Sequence, residues 1–421
     1  MHFRKFLAIA ALATGCTGVL AGCSGSPVQQ VPALTGALTP LPAESLARAR
    51  ASQAALAPAM ASPTTWNNRI ALYLDRAAEP ALHEMLDSAR KSVWIETFEL
   101  HDDPAGMRII DRLVDKHRSG LAVRVILDEI GNRAVRSGAV RKLRDAGIPV
   151  VYYGPFPYVG KDGPGLNITH RKLYLVDGDR AMTGGMNLGE KYLARAHDML
   201  WKVEGDAAAA LHAEFGAEWR RAGGKAPVEA PAKPAGLFGT EPVGLAVTSP
   251  REKGREDEIR KVIGAAIDGA KSRIDMAYPF FWDDALLDKL AAAEARGVQV
   301  RVILTRHGNS AMTKLNLRSA AQLMPRGVEF HWYEKSYAHI KYCVVDEAFL
   351  AIGSSNADTL TFENNQELDL ILTNPLTVAD FRAKVPDADW QATAPVTAAD
   401  TKVGPIAKPL MTIMEWLDSY L

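Results

Sequence analysis

Two stretches of the sequence read HRKLYLVD, at residues 170–177, and HIKYCVVD, at residues 339–346. In both, four residues separate Lys from Asp, and six more separate Asp from a Gly-[Gly/Ser]-x-Asn segment. Each stretch is largely apolar after its Lys, which predicts a buried strand. Side chains two residues apart on a strand lie on one face, so the His and Lys of each copy point the same way.

The two stretches lie in two long repeats. The pentapeptide VRVIL occurs at 123–127 and again at 300–304, and each copy follows a helical segment and a Gly. Repeats of this length indicate a duplicated domain. Within each, strands rich in Val, Ile and Leu alternate with helical segments, a pattern typical of a parallel sheet covered by helices. We expect two pseudo-symmetric α/β sandwich halves with mostly parallel sheets.

Composition limits the classes of function. The chain has 421 residues, of which 48% are hydrophobic and 23% charged, as in globular proteins. Its 49 Lys and Arg residues equal its 49 Asp and Glu residues, which argues against a dedicated nucleic-acid-binding protein. Three Cys residues without Cys-x-x-Cys spacing give neither a disulfide framework nor a zinc site. We therefore expect no metal or other cofactor, and no nucleic-acid partner.

The first residues have the order of a secretory signal. Arg4 and Lys5 precede an apolar run at 6–13, and Leu20-Ala-Gly-Cys23 resembles the lipobox of bacterial lipoproteins. The apolar run is shorter than the roughly 20 residues of a membrane span. The resemblance implies a signal peptide at 1–22 and a lipidated Cys23. Because no Asp follows Cys23, we expect an anchor on the periplasmic side, at the outer membrane.

Composition also predicts the domain boundaries. Residues 23–65 are rich in Ala, Pro and Ser and read as a flexible tether, and a second stretch of this kind at 223–244 reads as a linker. We expect the first domain at 66–222, the second at 245–395 and a C-terminal extension with a helix at 396–421. The Asp pairs at 102–103 and 283–284 are interpreted as helix N-caps rather than metal ligands.

The motifs predict one site shared by the two halves. If the two strands meet, they surround one phosphate with the imidazoles of His170 and His339 and the ammonium groups of Lys172 and Lys341. The Gly pairs allow the backbone close to a ligand, and Asn187 and Asn356 supply amide donors. Such a cradle stabilises an anionic transition state. Because both motifs are in one chain, we expect a monomer.

The sequence resembles the phospholipase D superfamily, and within it the bacterial cardiolipin synthases. The resemblance rests on NITHRK at 167–172, GGMNLGEKY at 184–192 and GSSNADTLTFENNQE at 353–367, and it covers roughly residues 66–395. Two departures stand out. The Arg of the family pattern is Leu360 here, and a lipoprotein signal replaces the usual N-terminal membrane helices.

The resemblance implies a two-step reaction. One histidine, His170 in our assignment, attacks phosphorus and forms a phosphohistidine. The other, His339, protonates the leaving alcohol and then deprotonates the incoming one. The resemblance further implies that Lys172 and Lys341 hold phosphate oxygens and that Asp198 and Glu367 orient the histidines. Asp177 and Asp346 belong to the signature, and the sequence leaves open whether they act directly or order the loop.

Several functions fit these motifs. We favour phosphatidyl transfer between phospholipids, giving cardiolipin or a related lipid. The alternative is a hydrolytic phospholipase D that releases phosphatidic acid. A periplasmic nuclease is less consistent with the neutral charge and the expected anchor. A scaffold without activity would have no need of either histidine.

Overall fold

A computed structural model describes residues 41–132, 138–154, 159–160, 163–164, 168–228, 234–250, 252–308 and 310–402. The predicted signal peptide, Cys23 and the predicted C-terminal helix lie outside these ranges, as does Asn167. No helix in the described ranges is long and apolar enough to cross a membrane.

The first half alternates strands and helices as the sequence predicts. A helix, α1 (Ala43–Leu56), precedes it. Its further helices are α2 (Ala78–Asp87), α3 (Pro104–Arg118), α4 (Gly138–Asp145) and α5 (Asp206–Arg221). Its strands are β1 (Asn68–Leu74), β2 (Ser92–Thr97), β3 (Ala122–Asp128), β4 (Val150–Tyr153), β5 (Val159–Gly160), β6 (Gly163–Pro164), β7 (Ile168–Thr169), β8 (Leu173–Val176), β9 (Arg180–Gly184) and β10 (Met199–Gly205).

The second half repeats this order. Its helices are α6 (Glu258–Gly269), α7 (Asp284–Ala295), α8 (Ser310–Leu323), α9 (Thr359–Asn364), α10 (Pro375–Lys384) and α11 (Pro386–Gln391). Its strands are β11 (Val243–Thr248), β12 (Arg273–Ala277), β13 (Gln299–Thr305), β14 (Glu329–Tyr333), β15 (Tyr342–Val345), β16 (Phe349–Gly353), β17 (Asn365–Leu372) and β18 (Ala394–Pro395).

The two halves share one sheet topology. The first sheet has the strand order β1-β10-β9-β8-β2-β3-β4, and the second has the order β11-β17-β16-β15-β12-β13-β14-β18. Strand for strand, the first seven positions correspond. The predicted duplication into two α/β halves is therefore confirmed, and each motif strand, β8 or β15, lies at the middle of its sheet.

The prediction of mostly parallel sheets was wrong. Only β2–β3–β4 and β12–β13–β14 are parallel, and the other neighbours along both sheets are antiparallel. Helical crossovers follow β2 and β3 and their counterparts, as the repeat predicts. However, turns of only three residues, 177–179 and 346–348, join β8 to β9 and β15 to β16. Strands joined by so short a connection pair antiparallel.

Within the described ranges, three large apolar cores hold the layers together. Helices α2, α3 and α4 pack on the outer face of the first sheet, and α6, α7 and α8 pack on the outer face of the second. The central core lies between the sheets and draws on both halves. It includes Trp201, Phe215 and Trp219 from the first half and Tyr342, Leu370 and Phe381 from the second. This shared core fixes one half against the other.

The folded region begins earlier than predicted. Residues 43–56 form a helix rather than part of a flexible tether, because their many alanines favour helix. Leu56 is 4% exposed and packs into the outer core of the second half. The side-chain amide of Gln53 donates to the Thr373 hydroxyl at 3.0 Å. The predicted tether therefore ends before residue 43, and α1 is part of the second half.

The predicted N-caps are confirmed at one Asp of each pair. The carboxylate of Asp103 accepts the Gly106 N–H at 2.9 Å at the start of α3. The carboxylate of Asp283 accepts the Leu286 N–H at 3.0 Å at the start of α7. Each cap begins a helix directly after the loop that leaves a parallel strand, at the end of the sheet where the motif histidines lie.

Candidate active site

The backbone brings each motif to the other half. In the first half, β7 pairs in parallel with the start of β17, and the His170 N–H donates to the Gln366 carbonyl at 2.9 Å. In the second, Ala338 bridges to His197, and the His339 N–H donates to the His197 carbonyl at 2.8 Å. These two pseudo-symmetric crossings place both histidines at one interface.

Each histidine is hydrogen-bonded to a carboxylate of the opposite half. His170 Nδ1 lies 2.9 Å from Glu367 Oε1, and His339 Nδ1 lies 2.8 Å from Asp198 Oδ2. The sequence named both carboxylates without pairing them, and the pairing crosses the interface. A carboxylate at Nδ1 holds the proton there and leaves Nε2 as the reactive nitrogen.

The second residue of each Gly-[Gly/Ser]-x-Asn segment, Gly185 or Ser354, contacts the carboxylate that binds a histidine. A Cβ on Gly185 would come within 2.3 Å of Asp198 Oδ1, so only glycine fits beside that carboxylate. In the second half Ser354 takes this place and donates its hydroxyl to Glu367 Oε2 at 2.5 Å. Burial raises the pKa of Asp198 and of Glu367 to about 7.

The ammonium group of each motif lysine contacts the histidine of its own motif. The Lys172 ammonium donates to the His170 carbonyl, and the Lys341 ammonium donates to the His339 carbonyl at 2.8 Å and to His339 Nε2 at 3.1 Å. Both side chains are buried. Burial lowers the pKa of Lys172 to about 7 and that of Lys341 to about 8, although the buried carboxylates oppose the shift. A bound phosphate would restore these charges.

Both imidazoles are poised in the neutral form. Burial, followed by the charges of the two lysines, lowers the pKa of His170 and of His339 well below the usual value. A neutral imidazole with its proton at Nδ1 has an electron pair at Nε2, which in His339 accepts a hydrogen bond from the Lys341 ammonium. That pair is what a nucleophile or a general base requires.

The asparagines lie on the loops that follow β9 and β16, the strands next to the two motif strands. Asn187 is buried, and its side-chain oxygen accepts the Glu99 N–H at 3.2 Å, which orients its amide group. Asn356 is also buried, and its side-chain oxygen has no protein hydrogen-bond partner within the described ranges. Both remain candidates for phosphate contacts.

Asp177 and Asp346 lie away from the histidines, at the far end of the motif strands. Asp177 accepts the backbone N–H groups of residues 90–92, and Asp346 accepts those of residues 271–273. Both have left-handed backbone, with φ of 56° and 49°. Of the two roles that the sequence left open, the geometry favours ordering the turn and argues against a direct catalytic role.

A match to a protein-family model shows to which family the chain belongs. The chain matches the model described as "Cardiolipin synthase, PLD-like domain" at residues 82–219 and 263–390, more than half of its length. The chain belongs to the phospholipase D superfamily. Each matched segment holds one H-x-K strand, so the two copies of the superfamily domain correspond to the two halves of the fold.

Relatives within the superfamily include several cardiolipin synthases. "Probable cardiolipin synthase YwiE" of Bacillus subtilis is 25% identical over 320 residues, which are 72% of this chain and 62% of that protein. "Cardiolipin synthase A" of Pseudomonas entomophila is 28% identical over 359 residues, which are 81% of this chain and 72% of that protein. The chain spans about three fifths of the length of the Bacillus relatives.

A solved structure supports the superfamily fold. The phosphatidylserine synthase of Haemophilus influenzae aligns with a TM-score of 0.63 at 14% identity, covering 88% of this chain and 98% of that chain. At this identity the likeness shows the fold alone. Within the ranges that our structure describes, no group of three His, Cys, Asp or Glu side chains is placed to hold a metal ion.

One buried residue beside the site, His197, was not identified from the sequence. His197, which lies outside both His-x-Lys motifs, is buried between Asp75 and Asp389, with its ring nitrogens at 2.9 and 3.0 Å from their carboxylates. Burial lowers its pKa, but the two carboxylates outweigh this effect and raise the pKa well above the usual value. Its position directly before Asp198 was the only available signal.

Replacing Asp346 by Ala should reduce stability rather than chemistry. The change removes an acceptor for three backbone N–H groups and places Ala in left-handed backbone. We expect a loss of about 2 kcal/mol in the free energy of unfolding, measured by urea denaturation. Asp346→Asn should lose less. If Asp346→Ala kept full stability but lost phosphodiester cleavage by orders of magnitude, a direct catalytic role would hold instead.

Anion binding should weaken as pH rises. Lys172 and Lys341 lose their protons near pH 7 and pH 8, while Asp198 and Glu367 gain negative charge near pH 7. Both changes disfavour an anion. Tungstate, a phosphate analogue that stays a dianion, should therefore bind at least about tenfold more weakly at pH 9 than at pH 6.5, as measured by calorimetry.

The matched variant for this titration is Lys341→Met. It removes the group that titrates near pH 8, so the decrease should end at lower pH than in the wild type. Equal tungstate affinity at both ends of the pH range in the wild type would show that the lysines do not form the anion site.

Proposed function

We propose that this protein is a phosphatidyltransferase that acts on phospholipids, as a cardiolipin synthase does. The observation that carries the proposal is the single site in which each half supplies one His-x-Lys strand and the carboxylate that orients the other half's histidine. Two imidazoles are what a double displacement at phosphorus needs. The names of the relatives indicate the substrate class.

In the first step, His170 is the nucleophile. Its Nε2 forms a bond to the phosphorus of the donor lipid, while the bond from phosphorus to the leaving alcohol breaks. The negative charge of the bound phosphodiester favours protonation of His339, which then gives this proton to the leaving oxygen, so that the alcohol departs neutral. The ammonium groups of Lys172 and Lys341 stabilise the negative charge on the non-bridging oxygens. The product of this step is a phosphatidylated His170.

In the second step, the roles reverse. His339, now neutral, takes the proton of the incoming alcohol as its oxygen bonds to phosphorus. The bond between phosphorus and His170 breaks, and the site returns to its starting state. Glu367 stabilises the positive charge that develops on His170, and Asp198 does so for His339.

Limited exposure of the site favours an alcohol over water as acceptor. The side chains of His170 and His339 are only 12% and 6% exposed. Burial of both imidazoles limits contact of bulk water with the phosphatidylated histidine. Transfer to an alcohol is therefore our first proposal, and hydrolysis to phosphatidic acid is the alternative.

We also propose a location. If Cys23 is lipidated, the residues between it and α1 connect the catalytic halves to the periplasmic face of the outer membrane. The enzyme would act there as a monomer, since one chain supplies both motifs. Its substrates would then lie in the leaflet that holds the anchor.

Lipid analysis in bacteria that lack their own cardiolipin synthases tests the function. Expression of the wild type should produce new cardiolipin, detected by mass spectrometry. His170→Asn and His339→Asn should each reduce the product by at least about a hundredfold, the range of single general acid–base groups. His83→Asn, on the outer helix α2, is the matched control and should act as the wild type does.

The lipid analysis, together with a nuclease assay of the purified protein, separates the alternatives. Phosphatidic acid and free head group without cardiolipin would support hydrolysis. DNA cleavage by the purified protein, absent in His170→Ala, would support a nuclease. Either result with the wild-type protein present would overturn the proposed transfer.

A further inference from the structure

A lysine lies between two aromatic rings beside His339. The rings of Tyr192 and Tyr337 have centroids 5.0 and 5.3 Å from the His339 imidazole. The Lys191 ammonium lies 4.8 Å from the centroid of the first ring and 5.4 Å from that of the second. It also donates to the Tyr192 hydroxyl at 3.2 Å. None of these three residues belongs to the His-x-Lys motifs.

Glu99 and His101 complete this cluster. The Tyr192 hydroxyl donates to Glu99 Oε2 at 2.9 Å, and His101 Nε2 lies 2.8 Å from the same oxygen. These contacts hold the Tyr192 ring in place. The Glu99 carboxylate hydrogen-bonds to these two side chains and, within the described ranges, forms no hydrogen bond with Lys191. The aromatic rings hold the ammonium without cancelling its charge.

The position of the cluster assigns it to one side of the reaction. The leaving alcohol and the incoming alcohol both exchange protons with His339 under the proposed mechanism. A group beside His339 therefore meets the alcohol rather than the phosphorus under attack. Under that mechanism, Lys172 and Lys341 bind the non-bridging oxygens of the phosphate under attack. Lys191 is therefore an additional cation for a different part of the substrate.

We propose that Lys191, held by Tyr192 and Tyr337, binds a second phosphate, the one carried by the incoming alcohol. A transfer that gives cardiolipin uses as acceptor a glycerol that already bears a phosphate. The inference rests on this proposed transferase function and assigns the residue that recognises the acceptor's phosphate.

The same geometry excludes another class of alcohol. Two tyrosine rings beside a carboxylate would otherwise suit a quaternary or primary ammonium head group. Here the Lys191 ammonium occupies the place over both rings that such a cation would take. A positively charged head group would meet repulsion there, whereas a phosphate would meet attraction.

Two acceptors that differ only in one phosphate test the inference. The purified protein is given phosphatidylglycerol in detergent micelles as donor, with labelled glycerol or labelled glycerol phosphate as acceptor. The readout is the ratio of kcat/KM for glycerol phosphate to that for glycerol. Lys191→Gln should lower this ratio about tenfold, as expected for one lost hydrogen bond to a charged group.

Three further variants sharpen the result. Lys191→Arg keeps the charge and should retain most of the preference, whereas Lys191→Glu should lower the ratio beyond Lys191→Gln. Lys384→Gln is the matched control, because Lys384 pairs with Asp380 on the outer side of α10 and should leave the ratio unchanged. A general folding defect lowers both rates and leaves the ratio as it is.

The outcomes distinguish the two proposals. If the wild type transfers to both acceptors and no Lys191 variant changes the ratio, the second phosphate site is wrong and the transferase function stands. If the wild type transfers to neither acceptor and releases only phosphatidic acid, the transferase function fails and the acceptor site fails with it.

Discussion

The hydrogen bond from each motif histidine to a carboxylate of the opposite half is the constraint on which this structure depends. His170 pairs with Glu367, and His339 pairs with Asp198. Neither half can orient its own imidazole, since the carboxylate that would do so faces the partner. Both copies of the domain must therefore be present in one fold. The central core between the two sheets has to hold the two halves in a fixed relative position.

Several neighbouring residues support these hydrogen bonds between the two halves. The backbone bonds from His170 to Gln366 and from His339 to His197 set each histidine beside the strand that carries its carboxylate. Beneath His170, buried Arg171 reaches Glu218 of its own half and Gln366 of the other, both at 3.3 Å. The lysines are buried with the carboxylates, and mutual attraction in this low-dielectric region keeps the four charges together.

The sequence was sufficient for the duplication and for the residues of the motifs, because spacing along a strand determines which side chains share a face. It was insufficient for strand direction, since βαβ periodicity conceals the tight turns at 177–179 and 346–348. Composition also misled us at Ala43–Leu56, where alanine suits both a linker and a helix. Contacts across the halves, such as those of His197 and Lys191, involve residues far apart in the chain and leave no local pattern.

The most direct test of the exchanged pairs is NMR of the protein with ¹⁵N-labelled histidine rings. Signals of His170 and His339 are assigned from the His→Asn variants, and ring tautomers are read at neutral pH. We predict a proton on Nδ1 of both rings, with Glu367→Gln altering the signals of His170 and Asp198→Asn altering those of His339. If each carboxylate variant instead altered the histidine of its own half, the central claim would be contradicted.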